Sequence, residues 1–321
     1  MDISEQALLT AIRRVLSGAG AEVVVGVGDD AAVVAPGSGQ LVLTNDVLTE
    51  GTHFVIALTT ARDLGYKAIV TSVSDVAAMA GAPRYALDAL TLTEHVDAAW
   101  VMELFGGMRE ACEEHAVWLV GGNLTRGTQL SIATTVVGEV APGRAVTRSG
   151  AGVGDRLVVT GALGASSAGR RLATLRTMPT PEQRAAIIRH QRPIARVGEA
   201  GVLARYGATA MIDVSDGFSL DVSRLAEASG VGLRIQLEDL PIASEATRED
   251  ALAGGEDYEL IATLPTEAAV LEARLALDDA FGVTLTDVGE VTERGPVTID
   301  VDGNETPLQA EGWDPFSEIV P

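Results

Sequence analysis

Lysine is almost missing from this chain, with Lys67 alone among 321 residues. A phosphate loop of the Gly-Lys-Ser/Thr type needs that side chain, and no Gly-Lys pair occurs, so any phosphate site must use another device. Cysteine is as scarce. Cys112 by itself cannot close an internal disulfide or make a metal or redox pair, so it reads as a small buried hydrophobe in a reducing compartment. No apolar run approaches the ~20 residues of a membrane helix. The first residues carry Asp2 and Glu5 where a secretion signal would be basic and then apolar, so a cytoplasmic location is expected. Positive charge is short too: 23 basic against 45 acidic residues leave a net charge of −22, which disfavours nucleic acid and anionic membranes as partners.

What is abundant is apolar: 47% of the residues are hydrophobic, enough for a sizeable core most simply divided between two domains. Ser4 can cap a first helix reaching about Leu16. Residues 22–27, 40–43, 85–92, 118–120 and 130–140 are short β-rich runs bounded by Gly, Asp or Asn, and 61–79 and 97–115 carry apolar residues at helical spacing. The first part therefore reads as a mixed sheet with helices on one face. A Gly- and Arg-rich stretch, 141–155, separates it from a second alternation. That half has strands at 156–160, 210–214, 232–237, 258–264, 283–291 and 297–301, and helices at 219–229 and 266–281. The expected domains are 1–148 and 149–321, and the fold class is mixed α/β.

Acidic residues recur beside the apolar strands, in Gly28-Asp29-Asp30, Asn45-Asp46, Ser74-Asp75, Asp213-Val214-Ser215-Asp216 and Gly254-Gly255-Glu256-Asp257. Taken singly, each is an ordinary turn or cap. Five together, converging on one rim of a sheet, repel one another unless they hold hard cations, for which magnesium with its oxygen ligands is the natural occupant. Asp75 stands out, since Val73, Val76 and Met79 flank it in an apolar helical stretch where an unpartnered carboxylate is costly.

Five segments in this order resemble the thiamine-monophosphate kinases: Gly28-Asp29-Asp30-Ala31-Ala32, Glu50-Gly51-Thr52-His53-Phe54, Ser74-Asp75-Val76-Ala77-Ala78-Met79, Val214-Ser215-Asp216-Gly217 and Gly254-Gly255-Glu256-Asp257-Tyr258-Glu259-Leu260. Single pieces recur across the wider aminoimidazole ribonucleotide synthetase superfamily. The resemblance implies that superfamily's two-domain fold, an N-terminal ATP- and metal-binding domain whose sheet pairs with a second copy's in a homodimer, and a C-terminal α/β sandwich completing the active site. It implies phosphorylation of thiamine monophosphate to thiamine diphosphate by ATP, with Mg2+. Asp30, Thr44, Asn45, Asp46, Asp75, Asn123, Asp213 and Asp216 would supply metal ligands, and Gly121, Gly122, Asn123, Arg148 and Ser215 would meet ATP. His53, Glu256 and Trp313 would face thiamine monophosphate.

Other readings stand beside these. His53 can be a hydrogen-bonded strand residue, Trp313 a tail anchor, Arg148 a partner in an ion pair, and Asn123 a turn residue after a strand ending at Val120. The family more often has Thr-Asp at Asn45-Asp46 and Gly-Gly-Asp at Gly121-Gly122-Asn123, and the second change removes a charge. That motivates one alternative, a catalytically weak thiamine-phosphate binding protein. The other is a different ATP-using superfamily member, but a selenophosphate synthetase carries a reactive Cys near its start and the hydrogenase maturation factor ends in Cys. This chain has only Cys112 and ends in Ile319-Val320-Pro321. A phosphate acceptor is already ionised near neutral pH, so direct in-line transfer with no catalytic base and no covalent intermediate is expected.

Overall fold

Residues 5–16, 22–25, 31–34, 37–175 and 178–314 are described in the computed structural model. They divide into two compact units, one within Met1–Val76 and Gly81–Gly143, the other within Ala77–Ala80 and Arg144–Pro321. The cap expected of Ser4 and the metal ligand expected of Asp30 lie outside the described residues.

The first unit runs α1 (Glu5–Val15), β1 (Val23–Val25), β2 (Val33–Val34), β3 (Gln40–Thr49), α2 (Ala61–Ala78), β4 (Ala82–Leu92), α3 (Ala98–Glu114), β5 (Trp118–Arg126) and β6 (Ser131–Val140), the last two residues of α2 counting with the second unit. Strands β3, β6, β4 and β5 form one sheet in that order, antiparallel except for the parallel β4–β5 pair. Period-two alternation assigns its faces. Ile132, Thr134, Val136 and Val140 of β6 are buried, while Leu41, Leu43 and Val47 of β3 and Leu87 of β4 are exposed. Helix α2 is buried through Leu64, Ala68, Ile69, Val70, Val73 and Val76. It meets α3 so closely that a Cβ on Gly107 would lie 1.7 Å from the carbonyl oxygen of Arg62. Only glycine lets the backbones approach this far. Asp97 caps α3 by accepting the amide of Trp100, and Cys112 on that helix is buried as expected.

The second unit continues with β7 (Arg156–Thr160), α4 (Ala165–Ala173), α5 (Pro181–Gln191), α6 (Val197–Arg205), β8 (Ala210–Asp213), α7 (Phe218–Ser229), β9 (Gly232–Gln236), α8 (Arg248–Ala253), β10 (Leu260–Leu264), α9 (Glu267–Phe281), β11 (Leu285–Thr292), β12 (Val297–Val301) and β13 (Asn304–Pro307). Its seven-stranded sheet has the order β13-β12-β9-β11-β7-β10-β8, with only β9–β12 parallel. Consecutive strand residues feed two cores. Leu157, Val159, Ile212 and Ile261 pack with Phe218, Val222 and Leu225 of α7, whereas Val158, Met211, Leu260 and Ala262 pack with Leu203 of α6 and Val270 and Leu277 of α9. Both faces are therefore covered, which is why these strands are continuous apolar runs and not alternating ones. Helices α5, α6 and α8 were not expected from periodicity. β10 begins at Leu260 and not at Tyr258, because Tyr258 has a left-handed φ of +53° that a strand cannot use.

Candidate active site

In the first unit the site is built where β3 crosses α2. Thr44 and Asp46, two apart on a strand, share its helix-covered face; Ser72 and Asp75, three apart on a helix, share one side of α2. The hydroxyl of Ser72 donates to Asp46 Oδ2 at 2.8 Å, and that of Thr44 donates to Asp75 Oδ2. Two reciprocal hydrogen bonds thus lock strand to helix and hold both carboxylates at the junction. Asp46 lies inside β3, not after a strand end as its sequence context suggested. Among the described residues no three His, Cys, Asp or Glu side chains are grouped closely enough to hold an ion. Magnesium, however, usually takes one or two protein carboxylates together with water and substrate phosphates, so the hard oxygens of Thr44, Asp46 and Asp75 fit it.

Asn45 is one residue out of phase. Its side chain projects from the opposite, exposed face, where Nδ2 donates to Thr135 Oγ1 at 2.8 Å and to the Thr134 carbonyl at 3.1 Å. Asn123 is not in a turn; β5 runs on to Arg126, and Asn123 pairs in register with the exposed Ala89. The structure therefore does not bring these two side chains to the Asp46–Asp75 pair. Gly122 pairs with Asp88 at φ +157°, where any Cβ would sit 1.9 Å from the Asp88 carbonyl oxygen. Close approach of β4 and β5 explains this glycine as well as phosphate contact does. His53 lies in the turn after β3, and its Nδ1 accepts the Thr49 amide at 3.1 Å, which leaves the proton of the neutral ring on Nε2.

Asp88 was missed from sequence. It projects inward from β4, 3% exposed, with Oδ1 accepting the Thr134 hydroxyl at 2.8 Å and Oδ2 without a hydrogen-bond partner among the described residues. Burial pushes its carboxyl up to about 7 although the Thr134 bond pulls the other way. The signal was available: one carboxylate at a core position of an otherwise alternating strand.

The second unit assembles the remaining residues around the end of β8. Asp213 is buried there, and the chain turns through Ser215, Asp216 and Gly217 into α7. Asp221, in the first turn of α7, accepts all three amides of that turn on Oδ2 at 3.0–3.1 Å, while Arg224 reaches its Oδ1 at 2.7 Å. Burial raises the Asp221 carboxyl to about 6, outweighing these bonds. Tied down in this way, the turn points the Asp216 side chain outward to Arg224 Nη1 at 2.5 Å. The Ser215 carbonyl accepts the Glu256 amide at 2.8 Å and the Asp216 carbonyl accepts the Trp313 amide at 2.7 Å. Ser215, Asp216, Glu256 and Trp313 are thus brought together. Arg148 is exposed and makes no ion pair among the described residues; only its carbonyl is engaged, by Ser229 at 3.0 Å.

The Gly-Gly-Glu-Asp-Tyr-Glu-Leu segment divides its labour. Asp257 accepts the amides of Gly164 at 2.5 Å and Ser166 at 3.0 Å, fastening the start of α4. Glu259 is buried and binds Arg196 at 2.6 and 2.7 Å, Arg189 at 3.0 Å and the Thr160 hydroxyl at 2.7 Å. Both are structural. Glu256, at φ +66°, instead turns its partly exposed carboxylate toward His190, Oε2 lying 3.4 Å from Nδ1.

Comparison with known proteins assigns the architecture. Residues 28–140 match the family model of AIR synthase related protein, N-terminal domain, and residues 152–302 that of its C-terminal domain. The thiamine-monophosphate kinase of Aquifex aeolicus is 36% identical over 301 residues, 90% of this chain and 92% of the relative. A crystal structure of the Stenotrophomonas maltophilia thiamine-monophosphate kinase superposes with a TM-score of 0.82 at 32% identity, covering 95% of this chain and 98% of that one. AaThiL complexed with AMPPCP and TMP superposes with a TM-score of 0.75 at 34% identity over 98% of both chains. Two domain matches end to end and identities above 30% over nine-tenths of the chain place this protein in the thiamine-monophosphate kinase family of the AIR synthase related proteins.

Proposed function

We propose that this enzyme transfers the terminal phosphoryl group of ATP to thiamine monophosphate, giving ADP and thiamine diphosphate. The observation that carries the reading is the similarity, over nearly the full length of both chains, to a structure holding AMPPCP and TMP. Asp30, Thr44, Asp46 and Asp75 of the first unit and Asp213 and Asp216 of the second are assigned to magnesium. Bound there, magnesium supplies charge neutralisation between two anionic substrates. Asn45 and Asn123 project elsewhere and are not assigned to the ion that Asp46 and Asp75 would share. The same placement weakens the case for a non-catalytic binding protein, because charge absent at those asparagines is not subtracted from the Asp46–Asp75 pair.

Gly121, Gly122, Asn123, Arg148 and Ser215 are assigned to ATP. His53, with its proton on Nε2, is a hydrogen-bond donor toward thiamine monophosphate. Glu256 offers a carboxylate to the substrate's cationic half, and Trp313, 39% exposed, a ring face for the thiazolium. The acceptor phosphate needs no base to ionise it, so these residues orient, screen and exclude water, and transfer is direct and in line. The exposed Leu41, Leu43, Val47 and Leu87 form an apolar sheet face suited to pairing with a second copy, which supports the homodimer. Among the described residues no helix is long and apolar enough to cross a membrane. With its lone cysteine buried, the chain suits the reducing cytoplasm.

Purified protein supplied with ATP and thiamine monophosphate is expected to form ADP and thiamine diphosphate one for one, only with a divalent ion. Undiminished turnover in excess chelator overturns the metal assignment, and ADP release without thiamine diphosphate overturns the acceptor.

A further inference from the structure

Glu256 sits in a backbone that its neighbours force into place. It and Tyr258 are non-glycine residues in the left-handed region, at φ +66° and +53°. Such a conformation persists only where surroundings over-determine it, and here they do. The Glu256 and Tyr258 amides donate to the carbonyls of Ser215 and Val214 at 2.8 and 2.9 Å, and Asp257 between them holds the two amides at the start of α4. The backbone is thereby fixed, but a glutamate side chain still has three rotatable bonds.

Two consecutive residues of α5 close on this segment. Arg189 grips it through Glu259 Oε1 at 3.0 Å and the Asp257 carbonyl at 3.4 Å. His190, with its side chain 13% exposed, places Nδ1 3.4 Å from Glu256 Oε2 and 3.1 Å from the Ser166 hydroxyl. Ser166 is itself fixed, because its amide is one of the two held by Asp257. With a proton on Nδ1 the ring donates toward the Glu256 carboxylate, with the Ser166 oxygen beside the same proton; without one, the single Nδ1 lone pair accepts the Ser166 hydroxyl and offers the carboxylate no hydrogen bond. An ionised carboxylate only accepts hydrogen bonds, so the first arrangement is the one that pairs the ring with Glu256.

We infer that His190, steadied by Ser166, is a positioning residue that sets the Glu256 carboxylate against the cationic heterocycle of the phosphoryl acceptor. The inference rests on the proposed function for Glu256 and adds two residues that neither family resemblance nor sequence pattern singled out. A histidine with this task acts on acceptor binding and leaves the nucleotide and the phosphoryl step alone.

The test compares steady-state kinetics of Glu256→Gln, His190→Ala, His190→Asn, Ser166→Ala and the double variant His190→Ala/Glu256→Gln. His190→Ala is expected to raise KM for thiamine monophosphate roughly ten-fold, the scale of one hydrogen bond to a charged group, with kcat and the KM for ATP within about two-fold. His190→Asn, whose amide nitrogen can take the place of Nδ1, restores most of the loss, and Ser166→Ala gives a smaller rise of the same kind. The double variant is no worse than Glu256→Gln alone, since a residue acting through Glu256 has nothing left to position. If Glu256→Gln leaves KM unchanged, the substrate role of Glu256 is wrong and the inference falls with it. If Glu256→Gln raises KM but His190→Ala and His190→Asn do not, or the two losses multiply, the substrate role stands and the positioning role is refuted. Should His190→Ala fold poorly, Ser166→Ala decides: a raised KM for thiamine monophosphate at wild-type melting supports positioning, whereas an unchanged KM refutes it.

Discussion

Replacing Asp88 by asparagine keeps the shape of the side chain and removes a charge that the first unit has nowhere to put. Desolvation is the main cause of its raised affinity for a proton, since the residue is 3% exposed and one carboxyl oxygen has no partner among the described residues. Moving from the ordinary 3.8 to about 7, at about 1.4 kcal/mol for each factor of ten, corresponds to about 4 kcal/mol. The sign follows from where the proton sits. Below pH 4 both folded and unfolded chains are protonated at this position, and nothing is lost. Between about 4 and 7 the folded state keeps a proton that the unfolded state has released, so stability falls as pH rises. Above 7 both are ionised and the full cost of a buried charge remains. The Asp88→Asn variant lacks this term, and whatever its amide gains or loses against Thr134 is the same at every pH. Urea unfolding of both proteins at pH 5, 6, 7 and 8 isolates the difference: stability of the variant relative to wild type is expected to rise by about 2 kcal/mol from pH 5 to pH 7 and to level off above that. Parallel curves across that range refute the account, and would mean that the second oxygen of Asp88 is solvated or paired.

Period carried most of what was readable beforehand. The β-rich run at 130–140 is β6, and the apolar runs expected at 156–160 and 258–264 are strands, the second from Leu260, continuous because both sides are covered by helices. Residues 181–191 were passed over because their apolar positions make no clean stripe. Yet Thr180-Pro181-Glu182-Gln183 spelled a helix start, and in the structure Thr180 and Gln183 close a capping box. The site divided along the same line. Oxygen-rich segments in a fixed order singled out Asp46, Asp75, Asp216 and Glu256 as candidates, but residue type could not say which acids point outward. Asp221 and Asp257 look in sequence like further candidate ligands, and both are consumed by backbone amides that the turn at 215–217 and the start of α4 leave unsatisfied. Strand phase separated Asn45 from Asp46, and only knowing that β3 extends through both reveals that adjacent letters face opposite ways.

The carboxylates assigned to metal and those assigned to structure should respond differently to substitution. Asp46→Asn can still accept the Ser72 hydroxyl, so turnover is expected to fall at least ~100-fold with the melting temperature nearly unchanged; calorimetry alongside a coupled ADP assay checks both. The sharper comparison is between Asp216 and Asp221, two acids that share Arg224 and lie five residues apart. Asp216 points outward, with its side chain 27% exposed, and its bond to Arg224 is partly solvated, so Asp216→Asn is expected to cost under about 1 kcal/mol of stability. If the carboxylate holds magnesium, turnover nevertheless falls at least ~100-fold. Asp221→Ala does the reverse in stability. It strips the acceptor from three amides and from Arg224 at once, and with about 1 to 3 kcal/mol for each buried group left unmet, a loss of at least about 3 kcal/mol is expected. Activity falls with it, because the same amides aim Asp216. A lowered melting temperature for Asp216→Asn with full activity per folded molecule would make Asp216 a turn residue and move the metal elsewhere. Unchanged melting for Asp221→Ala would mean that the turn is held by its contacts to Glu256 and Trp313 alone.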